Sequence, residues 1–270
     1  MRIGPGEARR IFETDPERWL YVLAALDDPI RRSGVTVFRA EDALAVVSDY
    51  AEETTVRLFS PDPALLAETA SDPALGGGGR FCFCAGLPDE LRTLPDGGSA
   101  RIGGLTLVRD DARRTIDRFG LFGTSPLRIR TGLPEGFAVR QLAPKEEPDD
   151  LYLPDTPPWR AFADSLPDRE PGDRILLVRN RSSGRAAGYL WTAEAGPGYD
   201  DIVNIFVDPE YRRRGIGRAL LSRFSEEAEA MGRKAYYGYA LSRESALLAR
   251  SMGFREIYGE TVSLYALPAE

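Results

Sequence analysis

Short runs in which apolar and polar residues alternate dominate the first 130 residues and predict β-strands. These runs, rich in β-branched and aromatic residues, are VTVFRA, DALAVVSDY, TTVRLFS, RFCFCAGL and ARIGGLTLVRD. Residues 11–26 instead show helical spacing, with an apolar face formed by Trp19, Leu20, Leu23 and Ala24. Pro63 begins a second, short helix in DPALLAETA. The pattern predicts an α+β domain over residues 1–130.

The second half shows another series of strand and helix periods. GFAVRQL predicts a first strand, a stretch rich in proline and acid follows, and RILLVRN, AAGYLWTAE and DIVNIFV predict three more strands. One helix has its apolar face at Leu220, Leu221, Phe224 and Ala228, and Gly232 ends it. AYYGYAL predicts a strand, SALLARSM a helix, and REIYGETVSLYAL a last strand or hairpin. We expect a second α+β domain over residues 131–270.

The charge of the chain is acidic in both halves. Among its 270 residues, 35 are Lys or Arg and 42 are Asp or Glu, which gives a net charge of −7. The basic balance expected of a nucleic-acid-binding protein is therefore missing. The apolar runs are shorter than the roughly 20 residues that a membrane-spanning helix needs. The N-terminus carries charges where a signal peptide needs an apolar core. We expect a cytoplasmic protein whose partners include neither nucleic acid nor a membrane.

The chain has no histidine, so the commonest general base and metal ligand is missing. Its two cysteines, Cys82 and Cys84, lie two residues apart in a predicted strand and therefore point to the same face. A zinc site would need about four ligands, and the chain has no further cysteine. We expect no metal site and two buried cysteines, with a reactive thiol as the alternative.

A basic turn with two glycines joins a predicted strand to a predicted helix in VDPEYRRRGIGRALL, residues 207–221. The first N–H groups of a helix have no internal partners, and the helix dipole adds positive charge there. Glycines let a phosphate approach the main chain, and arginines add charge and bidentate donors. Because several successive N–H groups are offered, a pyrophosphate fits better than a lone phosphate.

Two common pyrophosphate patterns do not fit this turn. The dinucleotide fingerprint, started at Gly215, meets Leu220 where its third glycine should stand. The phosphate loop of nucleoside triphosphatases requires a Gly-Lys-Ser/Thr end, which is missing here.

The segment DIVNIFVDPEYRRRGIGRALL, followed after a strand by a short helix ending in SMGF, resembles the GNAT superfamily of acyl-CoA N-acyltransferases. The pyrophosphate loop of that family reads Q/R-x-x-G-x-G/A, and Arg212 to Gly217 match it in full. The resemblance covers about residues 136–266. The order of elements in residues 1–130 is similar to a GNAT half without its cofactor site, as in tandem members of the family. An unrelated α+β domain is the alternative.

The resemblance implies the α+β GNAT fold, a mixed and largely antiparallel sheet whose middle strands splay apart to admit acetyl-CoA as co-substrate. The pantetheine arm is expected to pair with the first of these strands, and the pyrophosphate to rest on N–H groups of the loop. The Val207 N–H is expected to stabilise the oxyanion. The implied cofactor-binding residues are Ile205, Phe206, Val207, Arg212, Arg213, Arg214, Gly215, Ile216, Gly217 and Arg218.

The implied reaction is the attack of a neutral amine on the thioester, which needs a base when the amine is protonated. The family often places an acidic residue early in the fourth strand, and the resemblance puts Asp201 there, with Asp200 on the opposite face. Tyr239 on the facing strand is implied as a rival proton handler, together with Tyr236 and Tyr237.

The closing helix departs from the family pattern at two positions. Ser242 stands where the family usually has Asn, and Ala249 stands where it often has a Tyr general acid. This leaves two functions open. The first is an N-acetyltransferase that acts on the primary amine of a small molecule or peptide. The alternative is a non-catalytic acyl-CoA sensor that keeps the loop without the chemistry.

An acidic stretch lies where the family usually binds its acceptor, which suggests a cationic amine, with a solvated loop as the alternative. Trp159 and Phe162 are expected to supply an apolar wall there. A homodimer is a further option. The acidic residues are Glu146, Glu147, Asp149, Asp150 and Asp155.

Overall fold

The computed structural model describes residues 1–28, 34–50, 53–60, 62–72, 79–102, 105–113, 116–126, 129–143, 146 and 151–266. These residues form two compact units. The first comprises Met1–Phe122, Tyr239–Ala246 and the chain from Glu256 onward, and the second comprises Gly123–Gly238 and Leu247–Arg255. The sequence predicted one division after residue 130. Each unit instead takes segments from both halves, because strands late in the sequence complete the first unit.

The elements follow one another as β-strands and mostly short helices. The helices are α1 (Pro5–Phe12), α2 (Leu20–Asp27), α3 (Pro63–Ala70), α4 (Asp89–Arg92), α5 (Pro157–Ser165), α6 (Ile216–Ala230) and α7 (Arg243–Ser251). The strands are β1 (Arg2–Ile3), β2 (Val35–Ala40), β3 (Ala43–Tyr50), β4 (Glu53–Phe59), β5 (Arg80–Ala85), β6 (Ser99–Ile102), β7 (Leu105–Val108), β8 (Ile116–Arg118), β9 (Leu121–Thr124), β10 (Phe137–Gln141), β11 (Arg174–Asn180), β12 (Ala186–Gly196), β13 (Tyr199–Val207), β14 (Lys234–Tyr239), β15 (Glu256–Tyr258) and β16 (Thr261–Ala266).

The first sheet has the order β1-β2-β3-β4-β5-β16-β7-β6, with β8 paired to β16. Its pairs are antiparallel except for β4 and β5, which run parallel. One face packs against α3 through Leu65 and Leu66, which meet Val56, Leu58 and Phe83 of the sheet. These apolar residues alternate along their strands with residues of the other face, as the sequence pattern predicted.

The second sheet has the order β10-β11-β12-β13-β14-β9-β15 and is also largely antiparallel. One face of its β11–β13 part packs against α6, whose Ile216, Leu220 and Phe224 are buried. The opposite face packs against Trp159 and Phe162 of α5. Mixed, mostly antiparallel sheets flanked by helices confirm the predicted α+β fold class.

Both units contain the same succession of strands and helix. In each, an antiparallel meander (β2-β3-β4 or β11-β12-β13) leads through a helix (α3 or α6) to a parallel strand (β5 or β14). This repeat fits a tandem arrangement of two similar halves.

One predicted helix is wrong in extent. The pattern of residues 11–26 predicted a helix that opens near Asp15-Pro16, whereas residues 11 and 12 end α1 and the next helix, α2, begins only at Leu20. Pro16 has no N–H to donate and its ring disfavours helical conformation in the preceding residue, which explains the break. The predicted apolar face remains in use, since Trp19 and Leu20 are buried.

Candidate active site

The strands β13 and β14 pair only at their beginnings. The parallel register joins Tyr199 to Lys234, Asp200 to Ala235, and Asp201 to Tyr236. Both strands lie wholly in the described part of the chain, and no register pair between them follows Asp201 there. On its other side β13 stays paired with β12 as far as Val207. The edge of β13 that faces β14 is therefore open from Ile202 to Val207, as a splayed sheet requires.

Backbone groups of Ile205 and Val207 point to this open edge. The Asp208 N–H donates to the Ala187 carbonyl at 3.0 Å, so the Asp208 backbone faces the side of β12. Because successive backbone groups of a strand point to opposite edges, Phe206 also faces β12, and Val207 and Ile205 face away from it. Phe206 was predicted to hold the cofactor, but its ring lies against Trp159, with the centroids 5.3 Å apart.

The loop after β13 is anchored to the end of the strand. The Arg212 Nε donates to the Val207 carbonyl oxygen at 3.0 Å. This bond occupies the last carbonyl on the open edge and leaves the Val207 N–H and the Ile205 backbone for an incoming chain. Asp208 closes the turn from the other side, since its carboxylate accepts from the Glu210 N–H at 3.0 Å.

Two left-handed residues shape the loop itself. Arg213 has φ 62° and Gly215 has φ 90°. Alternation of left-handed and right-handed residues turns successive N–H groups to one concave side, which suits an anion. Arg212, Arg213, Arg214 and Arg218 are all exposed around this concavity.

The first turn of α6 offers further donors. The first backbone bond of the helix runs from the Ala219 N–H to the Gly215 carbonyl at 3.0 Å, so the preceding N–H groups have no partner inside the helix. Gly215 is the N-cap residue and has no side chain that could satisfy them. The predicted donors Ile216, Gly217 and Arg218 are thus placed together at one helix start, beside the arginine loop.

The two glycines of the loop serve different purposes. At Gly215, a Cβ would meet only Pro134 Cγ, at 4.0 Å. Space therefore does not require glycine at this position, but the left-handed backbone favours it. At Gly217, a Cβ would lie 3.1 Å from Leu248 Cδ2, which is tight packing against α7. From the sequence, both glycines were predicted to let a phosphate approach the main chain. In the structure, Gly217 also allows α6 to pack closely against Leu248 of α7.

A β-bulge in β13 decides which carboxylate faces which side. Trp191 pairs with Asn204 and Thr192 pairs with Ile202, so Val203 is an extra residue on β13. The bulge shifts the alternation by one residue. Ile202 and Ile205 accordingly pack on the same face of the sheet, against the core that contains α6.

Asp200 lies on the α6 face and is fully engaged in ion pairs. Its carboxylate accepts from Arg174 Nη2 and from Arg233 Nε, each at 2.5 Å. Arg174 also lies 3.7 Å from Glu227 of α6. The side chain of Asp200 is only 6% exposed. We infer that this buried ion-pair group fixes the point where β13 and β14 are still paired.

Asp201 points to the opposite face, because adjacent strand residues alternate. One carboxylate oxygen accepts from the Ile202 N–H at 2.7 Å, and the residue is half-buried. The bulge at Val203 places Asn204 on this same face. Asp201 therefore lies at the mouth of the open edge, and its role as the base stays a prediction.

Two further polar residues on this face were missed by the sequence reading. Asn204 Nδ2 donates to the Tyr189 hydroxyl at 3.0 Å. Burial raises the pKa of Tyr189 to about 12, so its hydroxyl stays protonated and can donate a hydrogen bond. Strict alternation from Asp201 would have turned Asn204 to the other face, and no sequence signal marks the bulge.

The tyrosines of β14 were expected to line the strand that faces Asp201, and the structure divides them between the two units. Tyr239 belongs to the first unit, where its hydroxyl lies 3.0 Å from that of Tyr258 and its ring stacks on Tyr21. Burial raises the pKa of Tyr239. Tyr236 and Tyr237 are fully buried in the second unit. The proton-handling role of Tyr239 stays a prediction.

The closing helix also lacks a proton donor at the family position. Ala249 is completely buried. Ser242 nevertheless acts as the predicted helix cap, since its hydroxyl accepts from the Ser245 N–H at 3.1 Å. Gly253 ends the helix with φ 76°, as expected.

The apolar wall predicted from Trp159 and Phe162 is wrong. Both side chains are buried, at 0% and 2% exposed, so they have no surface to offer a substrate. They pack in the core under β11 and β12. Trp159 Nε1 donates to the Asp208 carboxylate at 2.8 Å and thereby ties α5 to the start of the loop.

The acidic stretch is only partly described. Glu147, Asp149 and Asp150 lie outside the described residues. Glu146 pairs with Arg140, whose hydrogen bond lowers the pKa of Glu146. Asp155 pairs with Arg160 at 2.6 Å. The two described carboxylates are therefore already matched by arginines of the chain.

The corresponding place in the first unit is closed. Residues 55–59 of β4 pair with residues 80–85 of β5 along their length, so these strands do not part. The N–H of Ala64 in α3 donates to the side chain of Asp62 at 2.8 Å, which puts a carboxylate at the start of that helix. A negative charge and a sealed edge both oppose a pyrophosphate there. The first unit therefore has the topology of the second without its open edge.

Two further kinds of site are missing from the part of the chain that the structure describes. No cluster of three or more Cys, Asp or Glu side chains is arranged to hold a metal ion there. None of its helices combines the length and the apolar character that crossing a membrane requires. Both cysteines are buried and free of disulfides.

A comparison with protein families finds a match for residues that lie mostly in the second unit. Residues 171–256 match the family model described as Acetyltransferase (GNAT) domain. The chain carries a GNAT domain. The matched region contains the open edge of β13, the arginine loop and α6. The GNAT resemblance read from the loop is thereby confirmed.

The chain is also similar to two sets of known proteins. It is 31% identical over 105 residues to the "[Ribosomal protein bS18]-alanine N-acetyltransferase" of Escherichia coli K12 and to that of Shigella flexneri. These matches cover 37% of this chain and 66% of each relative, so the chain spans just under two thirds of their length.

The solved structures cover the chain more completely. The GCN5-related N-acetyltransferase from Sphaerobacter thermophilus has a TM-score of 0.52 and 17% identity, and covers 100% of this chain and 96% of its own. The GCN5-related N-acetyltransferase from Kribbella flavida has a TM-score of 0.50 and 14% identity, and the match covers 93% of this chain and 96% of the Kribbella chain. At these identities the likeness shows the fold alone.

Proposed function

We propose that the chain is an N-acetyltransferase that transfers an acetyl group from acetyl-CoA to the primary amine of a peptide or small molecule. The observation that carries the proposal is the parting of β13 from β14 after Asp201, directly followed by the arginine loop at the start of α6. An open strand edge suits the amide groups of pantetheine, and the loop suits the pyrophosphate.

The main chain supplies the binding of the thioester. The Ile205 backbone and the Val207 N–H are the groups on the open edge that can pair with pantetheine. The Val207 N–H would also donate to the carbonyl oxygen as it gains negative charge, which is where a fixed donor lowers the barrier most. The Arg212 bond to the Val207 carbonyl holds this N–H in place.

Asp201 is proposed as the base, directly or through one water. It would take a proton from the acceptor amine, whose nitrogen then attacks the thioester carbon. The C–N bond forms, the C–S bond breaks, and the sulfur leaves as a thiolate. The nitrogen loses its second proton as the amide forms, and solvent carries a proton to the thiolate. A thiolate leaves readily because its parent thiol has a pKa near ~8.5, so Ala249 in place of a tyrosine does not block the reaction.

The acceptor is best sought first among peptide N-termini, because the relatives named above are alanine N-acetyltransferases. The test incubates the full chain with acetyl-CoA and a hexapeptide that begins with alanine, and follows peptide mass and free thiol together. The same peptide with an acetylated N-terminus is the control, and a panel of small primary amines is the second arm. Coenzyme A binding without transfer to any amine would favour the sensor function and refute the transferase.

We predict that Gly215→Glu weakens coenzyme A binding at least tenfold, which is about 1.4 kcal/mol. Any side chain at φ 90° strains the backbone, and a carboxylate there would repel the pyrophosphate. Isothermal calorimetry measures the effect. Gly184→Glu is the matched control, because Gly184 also has a left-handed φ, of 70°, and open space around it. If both variants bound coenzyme A with equal affinity, the assignment of the pyrophosphate to this loop would be wrong.

A further inference from the structure

The first unit has a polar sheet face that its transferase-like topology does not explain. Along β4, Val56 and Leu58 face the core with α3, so Arg57 points to the other side. Cys82 is the register partner of Arg57 on β5 and lies 3.2 Å from the Ser263 hydroxyl on β16. We call this side of the sheet the polar face, defined by Arg57 and the buried residues Ser48, Cys82, Cys84 and Ser263.

Arg57 is the cation of the polar face, and most of its donors are unused. Its Nη1 donates to the buried Ser48 hydroxyl at 3.1 Å, and this is its one hydrogen bond to the described residues. Its Nε is buried and has no partner among them. The Nε and Nη2 groups that remain form one edge of the guanidinium. In general, this edge offers two parallel N–H donors to a carboxylate or phosphate.

A second arginine nearby shows the same deficit. Arg18 has a buried Nε without a partner in the described part of the chain, and its guanidinium lies over the rings of Trp19 and Phe59, at 5.3 and 5.8 Å. Phe59 is two residues from Arg57 on β4 and so shares its face. Arg118 adds a third positive charge, 3.9 Å from the ring centroid of Tyr239.

The neighbours of Arg57 do not balance its charge. Burial raises the pKa of Cys84 to about 12 and raises the pKa of Tyr239 and Tyr258 as well, so all three groups are neutral near pH 7. Neither Arg18 nor Arg57 forms an ion pair with a carboxylate of the described residues. An unpaired charge removed from water is costly, and proteins normally pair it.

We propose that the polar face of the first unit binds a small oxyanion, a carboxylate or a phosphate, on the free Nε–Nη2 edge of Arg57. The Arg18 and Arg118 guanidiniums supply further positive charge, and the paired hydroxyls of Tyr239 and Tyr258 supply donors. This site is separate from the arginine loop of the second unit. It therefore does not depend on the proposed transferase activity.

Anomalous diffraction can locate the anion. Crystals of the full chain are soaked in sodium selenate, a tetrahedral oxyanion with a strong selenium signal. We expect selenium within hydrogen-bonding distance of Arg57 Nε, and this peak disappears in Arg57→Met while any peak at the arginine loop persists. Selenium confined to the arginine loop in the wild type, or an unchanged peak in Arg57→Met, overturns the proposal.

Thermal unfolding tests the site in solution and separates it from the loop. In the Gly215→Glu background, phosphate and acetate are compared with chloride at equal ionic strength. A binding oxyanion should raise Tm by at least about 2 °C at saturating concentration, and the better of the two anions identifies the class. No rise with either anion overturns the proposal.

Variants of Arg57 provide the matched comparison. Arg57→Met should lose the anion-dependent rise, with a Tm in chloride equal to or above that of the parent, because the uncompensated charge is gone. Arg57→Lys keeps the positive charge but lacks the two parallel N–H donors of the guanidinium, and should weaken anion binding at least tenfold. This variant tests the site even if the methionine variant does not fold. The exposed Arg92→Met is the control. A full anion response in Arg57→Lys contradicts bidentate binding.

Discussion

Asp201→Asn is expected to lower kcat by roughly 10²–10⁴-fold, the usual effect of losing a general base. Asparagine keeps the size and the hydrogen bond from the Ile202 N–H but cannot take a proton. The affinity for acetyl-CoA and the Tm should stay unchanged, since Asp201 lies on the face of β13 opposite to α6 and asparagine keeps its size. Steady-state kinetics with an accepted amine, calorimetry with coenzyme A and thermal unfolding measure the three quantities.

The pH dependence separates a base from a residue that merely positions the substrate. The deficit of Asp201→Asn should shrink as the pH approaches the pKa of the acceptor amine, where the amine loses its proton unaided. Glu194→Gln is the control, because Glu194 is an exposed carboxylate on the neighbouring strand β12, where it pairs with Arg233. If Asp201→Asn kept the wild-type kcat at neutral pH, solvent or a tyrosine would be the group that takes the proton from the amine.

Asp200→Asn should affect stability far more than any change at Asp201. The change takes from Arg174 and Arg233 the buried carboxylate that they share. Removing one partner of a buried ion pair typically costs about 3–5 kcal/mol. For a chain of this length, that corresponds to a fall in Tm of roughly 10 °C. The loss should be seen in thermal unfolding, and coenzyme A should restore part of it by binding the folded state.

Two comparisons distinguish this loss from an ordinary surface effect. Asp155→Asn breaks an exposed pair with Arg160 and should leave Tm unchanged, because surface ion pairs contribute little. The triple change of Asp200, Arg174 and Arg233 to leucine, methionine and methionine should be less harmful than Asp200→Asn alone. The buried charges are then removed together, and Glu194, which loses Arg233, is exposed. A loss in Asp200→Asn no larger than in Asp155→Asn would refute the buried ion-pair account.

The strongest local signals in the sequence concern the loop and the elements around it. The spacing of Arg212, Gly215 and Gly217, between a strand and an amphipathic helix, was enough to predict an anion site and to suggest the family. Helix ends at Gly232 and Gly253 were also predictable, because a left-handed residue at these positions favours glycine. These features depend on neighbouring residues alone.

Features that depend on distant residues could not be read in the same way. The bulge at Val203 arises from the register between β12 and β13, and it changes which residues share a face with Asp201. Likewise, the aromatic residues Trp159 and Phe162 have the composition of a binding wall, and only packing shows that they are buried. Sequence periodicity reports which residues are apolar, not which partner covers them.

The sequence by itself determined the α+β class and the strand–loop–helix pattern of the predicted cofactor site, because both follow from local spacing and residue chemistry. The family resemblance of that pattern then singled out Asp201 as the candidate base. Only the tertiary structure decided that β13 parts from β14 after Asp201 while β4 stays paired with β5. It also decided that Tyr239 and the last strand belong to the first unit. The physical reason is that strand pairing joins residues far apart in the chain, so its extent is set by the whole sheet and not by any one segment.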